Sequence, residues 1–469
     1  MLINILLLIL SIGIYVSFGI SNLIYILFST VTTYAAARII SNKRSIEGCT
    51  NCNINYADKE NKNAEIIEEV KGENYKNNQN KKNGKWILII TIAGNACILI
   101  AIKILLYGQA KLNWLSGIQI IAPLGISYYT LQVISYIVDV YKGKIEAEKN
   151  FFKYFLYVVY FPYLFIGPIT RYENMKEELF KKEKIKLENI YNGVIRILWG
   201  LTKKFVIAGR VGILIGTISS DVSIYKGAYA LLAMLLYSVQ LYADFSGGID
   251  IVIGGSKMLG INLKENFDSP YLSQSIKEFW RRWHIALSSW LRDYIYIPLG
   301  GNRCSKIRNK INVIITFVIS GFWHGMNYLL WGLLHGLLVV YGKILKTKWK
   351  PINIIITFLL ISILWSFFIW TDTLTSLQMI GSIFTNFNYV EMLSNFLNLG
   401  LNIANIVVLI ISVIVLIIFD IKKEKIITKI KNYKIEGKLA IIGTLAIIVL
   451  VFGIYGIGFN VSEFIYSKF

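Results

Sequence analysis

Residues 1–40 contain a single charged side chain, Arg38, and apolar stretches of the same kind recur along the whole chain of 469 residues. A run of about 20 apolar residues matches the thickness of a bilayer core. Inside a bilayer the backbone must satisfy its own hydrogen bonds, so such runs become helices. Membrane helices are therefore expected near Leu2–Phe18, Leu23–Ile40, Trp86–Tyr107, Ile118–Tyr141, Ile352–Trp370, Ile403–Ile421 and Leu439–Phe452. The almost continuously apolar start, Met1–Ile40, is too long for a signal-peptide core. Hydrophobic residues make up 55% of the chain and charged residues 16%, against about 25% charged in soluble domains. That balance excludes a disordered chain, a collagen-like chain and an ordinary cytosolic enzyme. The expected fold class is an all-α polytopic membrane protein.

Lys and Arg number 49 against 28 Asp and Glu, a formal charge of +21. With so few charges, the excess belongs in loops on one face of a membrane. Lys422, Lys423, Lys425, Lys429, Lys431, Lys434 and Lys438 crowd one loop, which is expected to be cytoplasmic. One further span then places the C-terminal tail, residues 458–469, outside. No basic stripe stands apart from apolar segments, so nucleic acid is not an expected partner and membrane lipids are. Residues 41–85 change character, with nine Lys/Arg and seven Asp/Glu. They read as a solvated polar loop with at most one short charged helix.

Other runs are irregular. Phe151–Ile169 contains Pro162, Gly167 and Pro168, and a broken helix at membrane depth belongs beside protein or a water-filled cavity. Ile190–Leu201, Phe205–Ile218, Ala228–Leu241 and Ile249–Leu259 fall short of a full span, so short and re-entrant helices are expected among them. In Ser275–Tyr296, Ile276, Phe279, Trp280, Trp283, Leu287, Trp290 and Leu291 recur at helical spacing, while Lys277, Arg281, Arg282 and Arg292 fall mainly off that stripe. This is the pattern of an amphipathic helix at the membrane surface.

The three histidines of the chain, His284, His324 and His335, fall within 52 residues. Histidine is the side chain best suited to proton transfer near neutral pH, and an ionisable group in an apolar segment points to function. Packing histidines are the plain alternative, but clustering with Trp, Gly and Arg favours a site. A metal is not expected. On one continuous helix His324 and His335 would stand ~16 Å apart, and only a break near Gly325 would bring them closer. Cys49 and Cys52 form a lone C-x-x-C with no partner ligands, Cys97 reads as a packing residue, and Cys304 lies in a basic loop. Gly247, Gly248, Gly254 and Gly255 precede Ser256 and Lys257 in the wrong order for a phosphate loop, so close helix packing is expected. Asp244 and Asp250 read as structural pairing partners before a catalytic carboxylate pair.

Three segments carry a family likeness: Gln240-Leu-Tyr-Ala-Asp-Phe-Ser-Gly247, Asn266-Phe-Asp-Ser-Pro-Tyr271 and Glu278-Phe-Trp-Arg-Arg-Trp-His-Ile285. Leu291-Arg-Asp-Tyr-Ile-Tyr-Ile-Pro-Leu-Gly-Gly-Asn-Arg303 and Gly321-Phe-Trp-His-Gly325 add to it, and Phe161-Pro162 and Gly167-Pro-Ile-Thr-Arg171 do so more weakly. The chain resembles the membrane-bound O-acyltransferase (MBOAT) family, in its alginate O-acetylation-like bacterial branch. It departs from the family in an N-terminal part about one helix shorter. It departs again at Phe367-Phe-Ile-Trp370, where the family has Phe-Phe-Arg-Ala and thus a customary buried Arg.

The resemblance implies one integral membrane domain over 1–469, with a catalytic core at 240–340. Its fold would be a ring of about 10–12 transmembrane helices, with short re-entrant helices and an amphipathic ridge helix, around a central tunnel. His324 matches the family's catalytic histidine and His284 its second conserved polar position. Trp323, Asp293, Asn302 and His335 stand in or near these motifs as supporting candidates. Arg281 and Arg282 are candidates for the donor's phosphates, with lipid-headgroup contact as the alternative. The final Phe464-Ile-Tyr-Ser-Lys-Phe469 resembles a tail of bacterial acyl-export proteins, which makes Tyr466 a candidate acyl carrier; an interfacial aromatic anchor is the alternative.

The implied activity is O-acyl transfer by a multi-pass protein of the bacterial cell (plasma) membrane. An acyl group, expected to be acetyl, would pass from a cytoplasmic thioester to a cell-wall or exopolysaccharide polymer. The donor substrate would be acetyl-CoA or another acyl thioester, with no bound cofactor. An extracytoplasmic acetyltransferase partner would complete the transfer. The alternatives are D-alanyl export for teichoic acid D-alanylation and, in another class, a proton-coupled transporter or channel.

Overall fold

The computed structural model describes the backbone of residues 2–57, 64–111, 122–181, 186–342 and 347–455. It describes the side chains of 3–44, 84–109, 122–163, 166–181, 186–342 and 347–455. Every regular element among the described residues is helical. The chain clusters into two compact units, one formed by 1–164 with 169–181 and the other by 165–168 with 182–469. Among the described residues, six helices are long and apolar enough to cross a membrane: Ile20–Arg44, Gly84–Gln109, Ala228–Met258, Lys350–Ile369, Ile403–Ile421 and Ile435–Phe452. Ile3–Ser17 and Met326–Tyr341 are shorter apolar helices. The protein is therefore an all-α, multi-pass membrane protein.

The first unit holds α1 (Leu2–Ser17), α2 (Ile20–Ala57), α3 (Ala64–Lys111), α4 (Ile126–Tyr141) and α5 (Phe151–Val159). A short α6 (Tyr163–Ile166) follows, with its first two residues in this unit, and α7 (Tyr172–Phe180) completes the unit. The expected break in Phe151–Ile169 is present, because α5 ends before Pro162 and α6 ends before Gly167. Residues 41–85 differ from expectation: α2 continues to Ala57 and α3 begins at Ala64. Their Lys and Glu are good helix formers and no proline interrupts them, so helix extends outward from each membrane segment. The side chains of Cys49 and Cys52 lie outside the described residues. Cys97 is exposed on α3 rather than packed.

This unit is tied together by tyrosines around one carboxylate. The Tyr172 hydroxyl donates to Glu148 at 2.5 Å, and the Glu148 backbone N–H donates to the Tyr136 hydroxyl at 2.9 Å. Glu148 also accepts from the amides of Lys149 and Asn150, both at 2.9 Å. Asn150 then caps α5 by accepting from the Lys153 amide, so the acidic residue organises the start of that helix.

In the second unit, α8 (Leu187–Leu201) runs through a π-helical segment, Thr202–Ala208, into α9 (Gly209–Ser220). The rod packs on α10 (Ala228–Met258), which is one helix of 31 residues where two short runs were expected. The glycines explain both facts, because they sit where backbones meet and do not break the helix. A Cβ on Gly200 would lie 2.5 Å from the Gly247 carbonyl oxygen, and one on Gly193 would lie 2.6 Å from that of Gly254. Small residues permit such approach between membrane helices.

The same interface buries charge. Asp250 pairs with Arg196 at 2.9 Å and with Lys203 at 2.6 Å, Lys203 donates to Ser246 at 2.7 Å, and Lys204 pairs with Asp244. Both aspartates are thus in structural ion pairs. Helix α11 (Ile276–Arg282), α12 (Ile285–Leu291), α13 (Lys306–His324), α14 (Leu329–Tyr341) and α15 (Lys350–Leu364) follow. The remainder is α16 (Ser366–Ile369), α17 (Thr373–Thr385), α18 (Tyr389–Ser394), α19 (Ile403–Ile421), α20 (Lys423–Asn432) and α21 (Ile435–Phe452). Only Leu409 and Leu416 of α19 are buried, as suits a helix whose remaining surface meets lipid tails.

Candidate active site

The amphipathic pattern of Ser275–Tyr296 does not fold as one helix. Ser275 caps α11 by accepting from the Glu278 amide at 3.2 Å, and the helix stops at Trp283. His284 then adopts the left-handed conformation, φ 44° and ψ 53°, before α12 begins. The cause is an irregular stretch alongside, residues 266–268, which bonds to the backbone on both sides of the bend. Asp268 N–H donates to the Arg282 carbonyl at 3.0 Å, and Ile285 N–H donates to the Asn266 carbonyl at 2.9 Å. The Asn266 side-chain oxygen accepts from the Ala286 amide at 2.9 Å and lies 3.3 Å from His284 Nδ1. Asn266 thereby satisfies the open amides at the start of α12, a role a continuous helix would not need. The segment after α12, Arg292–Tyr296, is π-helical.

His324 is the last residue of α13. Gly325 follows with φ 151°, a conformation that favours glycine, and a turn of 3-10 helix, Met326–Tyr328, leads into α14. The helical hairpin closes through Gly336, where a Cβ would lie 3.0 Å from the Ile314 Cα. The break near Gly325 is therefore real. It leaves His324 half-buried at a helix C-terminus, where the backbone dipole favours positive charge.

Aromatic rings connect the three histidines. Trp323 meets His324 edge-on, centroids 4.8 Å apart, and stands 6.3 Å from His284. Trp331 stands 5.6 Å from His324 and 4.7 Å from His335. Phe368 covers His324 at 5.6 Å and stacks on Tyr328 at 4.3 Å. The Trp280 indole N–H donates to His335 Nδ1 at 3.3 Å. His284 and His335 are buried, so His324 is the histidine of the three with partial exposure.

The structure thus brings together His284, Trp323, His324 and His335. Arg282 pairs with Glu278 at 2.8 Å, while Arg281 is exposed. Asp293 pairs with its neighbour Arg292 at 2.8 Å, and Asn302 is exposed in the turn before α13. Tyr466 and the tail 458–469 lie outside the described residues. Among the described residues no three potential metal ligands cluster. Sequence reasoning missed Asn266, Trp280, Trp331 and Phe368 as parts of the site. Trp331 was findable, since it precedes His335 by one helical turn; Asn266 reaches His284 only through the fold.

Comparison with known proteins bears on this site. The model of the MBOAT, membrane-bound O-acyltransferase family, matches residues 147–370. The chain is 37% identical over 317 residues to the probable alginate O-acetylase of Pseudomonas syringae pv. tomato, covering 64% of this chain and 61% of that protein. It is 36% identical over 287 residues to a peptidoglycan O-acetyltransferase of Helicobacter pylori, covering 54% of each. It is 31% identical over 266 residues to a teichoic acid D-alanyltransferase of Bacillus subtilis, covering 53% of this chain and 67% of that protein. The chain matches less than two thirds of the alginate O-acetylase. Helical architecture, the matched segment and these likenesses agree: the chain belongs to the membrane-bound O-acyltransferase family.

Proposed function

We propose that this protein is an O-acyltransferase of the bacterial plasma membrane in which His324 is the general base. The observation that carries the reading is the half-buried His324 ring at the end of α13, walled by Trp323, Trp331 and Phe368. In that position the imidazole takes the proton of an attacking hydroxyl as its oxygen bonds to the thioester carbonyl carbon. The C–S bond then breaks, and the imidazolium returns its proton to the leaving thiolate. The products are an ester and a free thiol, so atoms and charges balance. The helix C-terminus lowers the energy of the transient imidazolium, and the indole walls limit hydrolysis by excluding water.

The donor is an acyl thioester, acetyl-CoA in the first instance, with Arg281 available for its phosphates. A thiol has pKa ~8.5 and a phenol ~10, so transfer to the Tyr466 phenol would keep the acyl group activated. From there an extracytoplasmic acetyltransferase partner would pass it to a cell-wall or exopolysaccharide polymer. Likeness to an alginate O-acetylase and a peptidoglycan O-acetyltransferase supports acetyl as the group. Likeness to a teichoic acid D-alanyltransferase keeps D-alanyl as the second reading.

Intact-mass analysis of the full chain after incubation with isotopically labelled acetyl-CoA tests this. Label on the wild type, absent in His324→Ala and in Tyr466→Phe, is the expected result. Equal label in all three removes both residue assignments.

A further inference from the structure

Asn266 is completely buried. Its side chain faces two nitrogens at once, the Ala286 amide at 2.9 Å and His284 Nδ1 at 3.3 Å. A backbone N–H can only donate, so the Asn266 atom between them is the oxygen. The imidazole nitrogen facing that oxygen must then carry a proton. Neutral His284 therefore holds its proton on Nδ1 and a lone pair on Nε2. Nε2 is buried and has no hydrogen-bond partner among the described residues. Phe245 at 4.9 Å and Trp323 at 6.3 Å stand edge-on to the ring and restrict its rotation.

His335 presents the opposite arrangement. The Trp280 indole can only donate, so Nδ1 of His335 accepts and its proton sits on Nε2. Two buried imidazoles near His324 thus hold opposite tautomers, each imposed by one neighbour.

We propose that Asn266 is a positioning residue that locks His284 in the Nδ1–H tautomer, so that Nε2 offers its lone pair to a hydrogen-bond donor on the bound substrate. The proposal rests on the acyl-transfer reading for its substrate half; the tautomer half stands on geometry alone. A carboxylate holding a histidine Nδ1–H likewise fixes tautomer and orientation in serine hydrolases, where it also stabilises the imidazolium that forms. Here a neutral amide suits a buried, water-poor place, and it doubles as the cap that forces the bend at His284.

The test uses the full chain in liposomes with ring-¹⁵N histidine. Solid-state spectra of the three imidazoles are assigned by replacing each histidine in turn. The expected wild-type spectrum shows His284 protonated on Nδ1 and bare on Nε2, and His335 the reverse. Asn266→Asp keeps an acceptor facing both nitrogens and should keep the His284 pattern. Asn266→Leu removes it and should mix or invert the pattern. With acetyl-CoA as the probe, the rate of thiol release should fall about tenfold or more in Asn266→Leu and stay within about threefold of wild type in Asn266→Asp, as expected for lost orientation of a proton-handling group. A wild-type His284 protonated on Nε2 overturns the proposal, and so do two variants that slow equally while both keep the tautomer. A wild type that releases no thiol removes the acyl-transfer reading and the substrate half with it, while the spectra still decide the tautomer.

Discussion

His324 and Trp331 stand edge to face, ring centroids 5.6 Å apart and planes at 82°. They lie on different helices, with Gly325 between them. Trp331 also packs on His335 and Trp365, so it fixes one wall of the site. Trp331→Phe should keep that wall and most acyl transfer. Trp331→Ala opens a large cavity, costs about 3–5 kcal/mol of stability, and should raise hydrolysis of acetyl-CoA relative to transfer. Transfer and free acetate, measured side by side, check this; an unchanged ratio in Trp331→Ala counts against the wall.

Removing the proposed base is a sharper test. His324→Gln should lower acyl transfer by a factor of about 10²–10⁴, the usual contribution of a general base, with the melting temperature little changed. Turnover of acetyl-CoA by purified protein in lipid measures it. A variant with undiminished turnover would assign the proton transfer to another group.

The buried charges between α8 and α10 have a distinct signature. Asp250→Ala leaves the ammonium of Lys203, itself only 4% exposed, with Ser246 and the ring of Tyr242 as its neighbours. Removing one partner of a buried pair costs about 3–5 kcal/mol. The double variant Asp250→Leu with Lys203→Met should recover most of that, because apolar replacement of a whole pair is often neutral. Thermal unfolding in detergent of the single and double variants measures the difference. A single variant as stable as wild type would mean that the pair contributes nothing.

Glu148 gives a pH dependence. Burial pushes its carboxyl up, but the Tyr172 hydroxyl, the Asn150 amide and the charge of Lys176 outweigh burial and hold it below the usual range. A depressed folded-state pKa contributes stability above the unfolded value of about 4.3, and that stability is lost as pH falls through the folded pKa. The melting-temperature gap between wild type and Glu148→Gln should therefore be full at neutral pH and close below about pH 4. A gap that is constant with pH would place the contribution of Glu148 elsewhere.

The spans were legible in the sequence where burial in lipid alone decides. Ile403–Ile421 ends where its apolar run ends, and Lys306–His324 stops at Gly325 as that glycine allows. Legibility failed where two elements act on each other. Ala228–Met258 continues through Gly247 and Gly248 because another backbone occupies the space that side chains would fill. The stripe of Ser275–Tyr296 has helical period, yet it bends at His284 because hydrogen bonds from Asn266 and Asp268 compete with the helix for the same backbone groups.

The sequence by itself determined that this chain crosses a membrane in helices and that its three histidines fall within 52 residues, because hydropathy and residue type are properties of local sequence. Only the tertiary structure decided that indoles connect those imidazoles and which nitrogen of His284 faces a buried acceptor. Ring contacts and tautomers depend on groups far apart in the chain, brought within a few ångströms by packing.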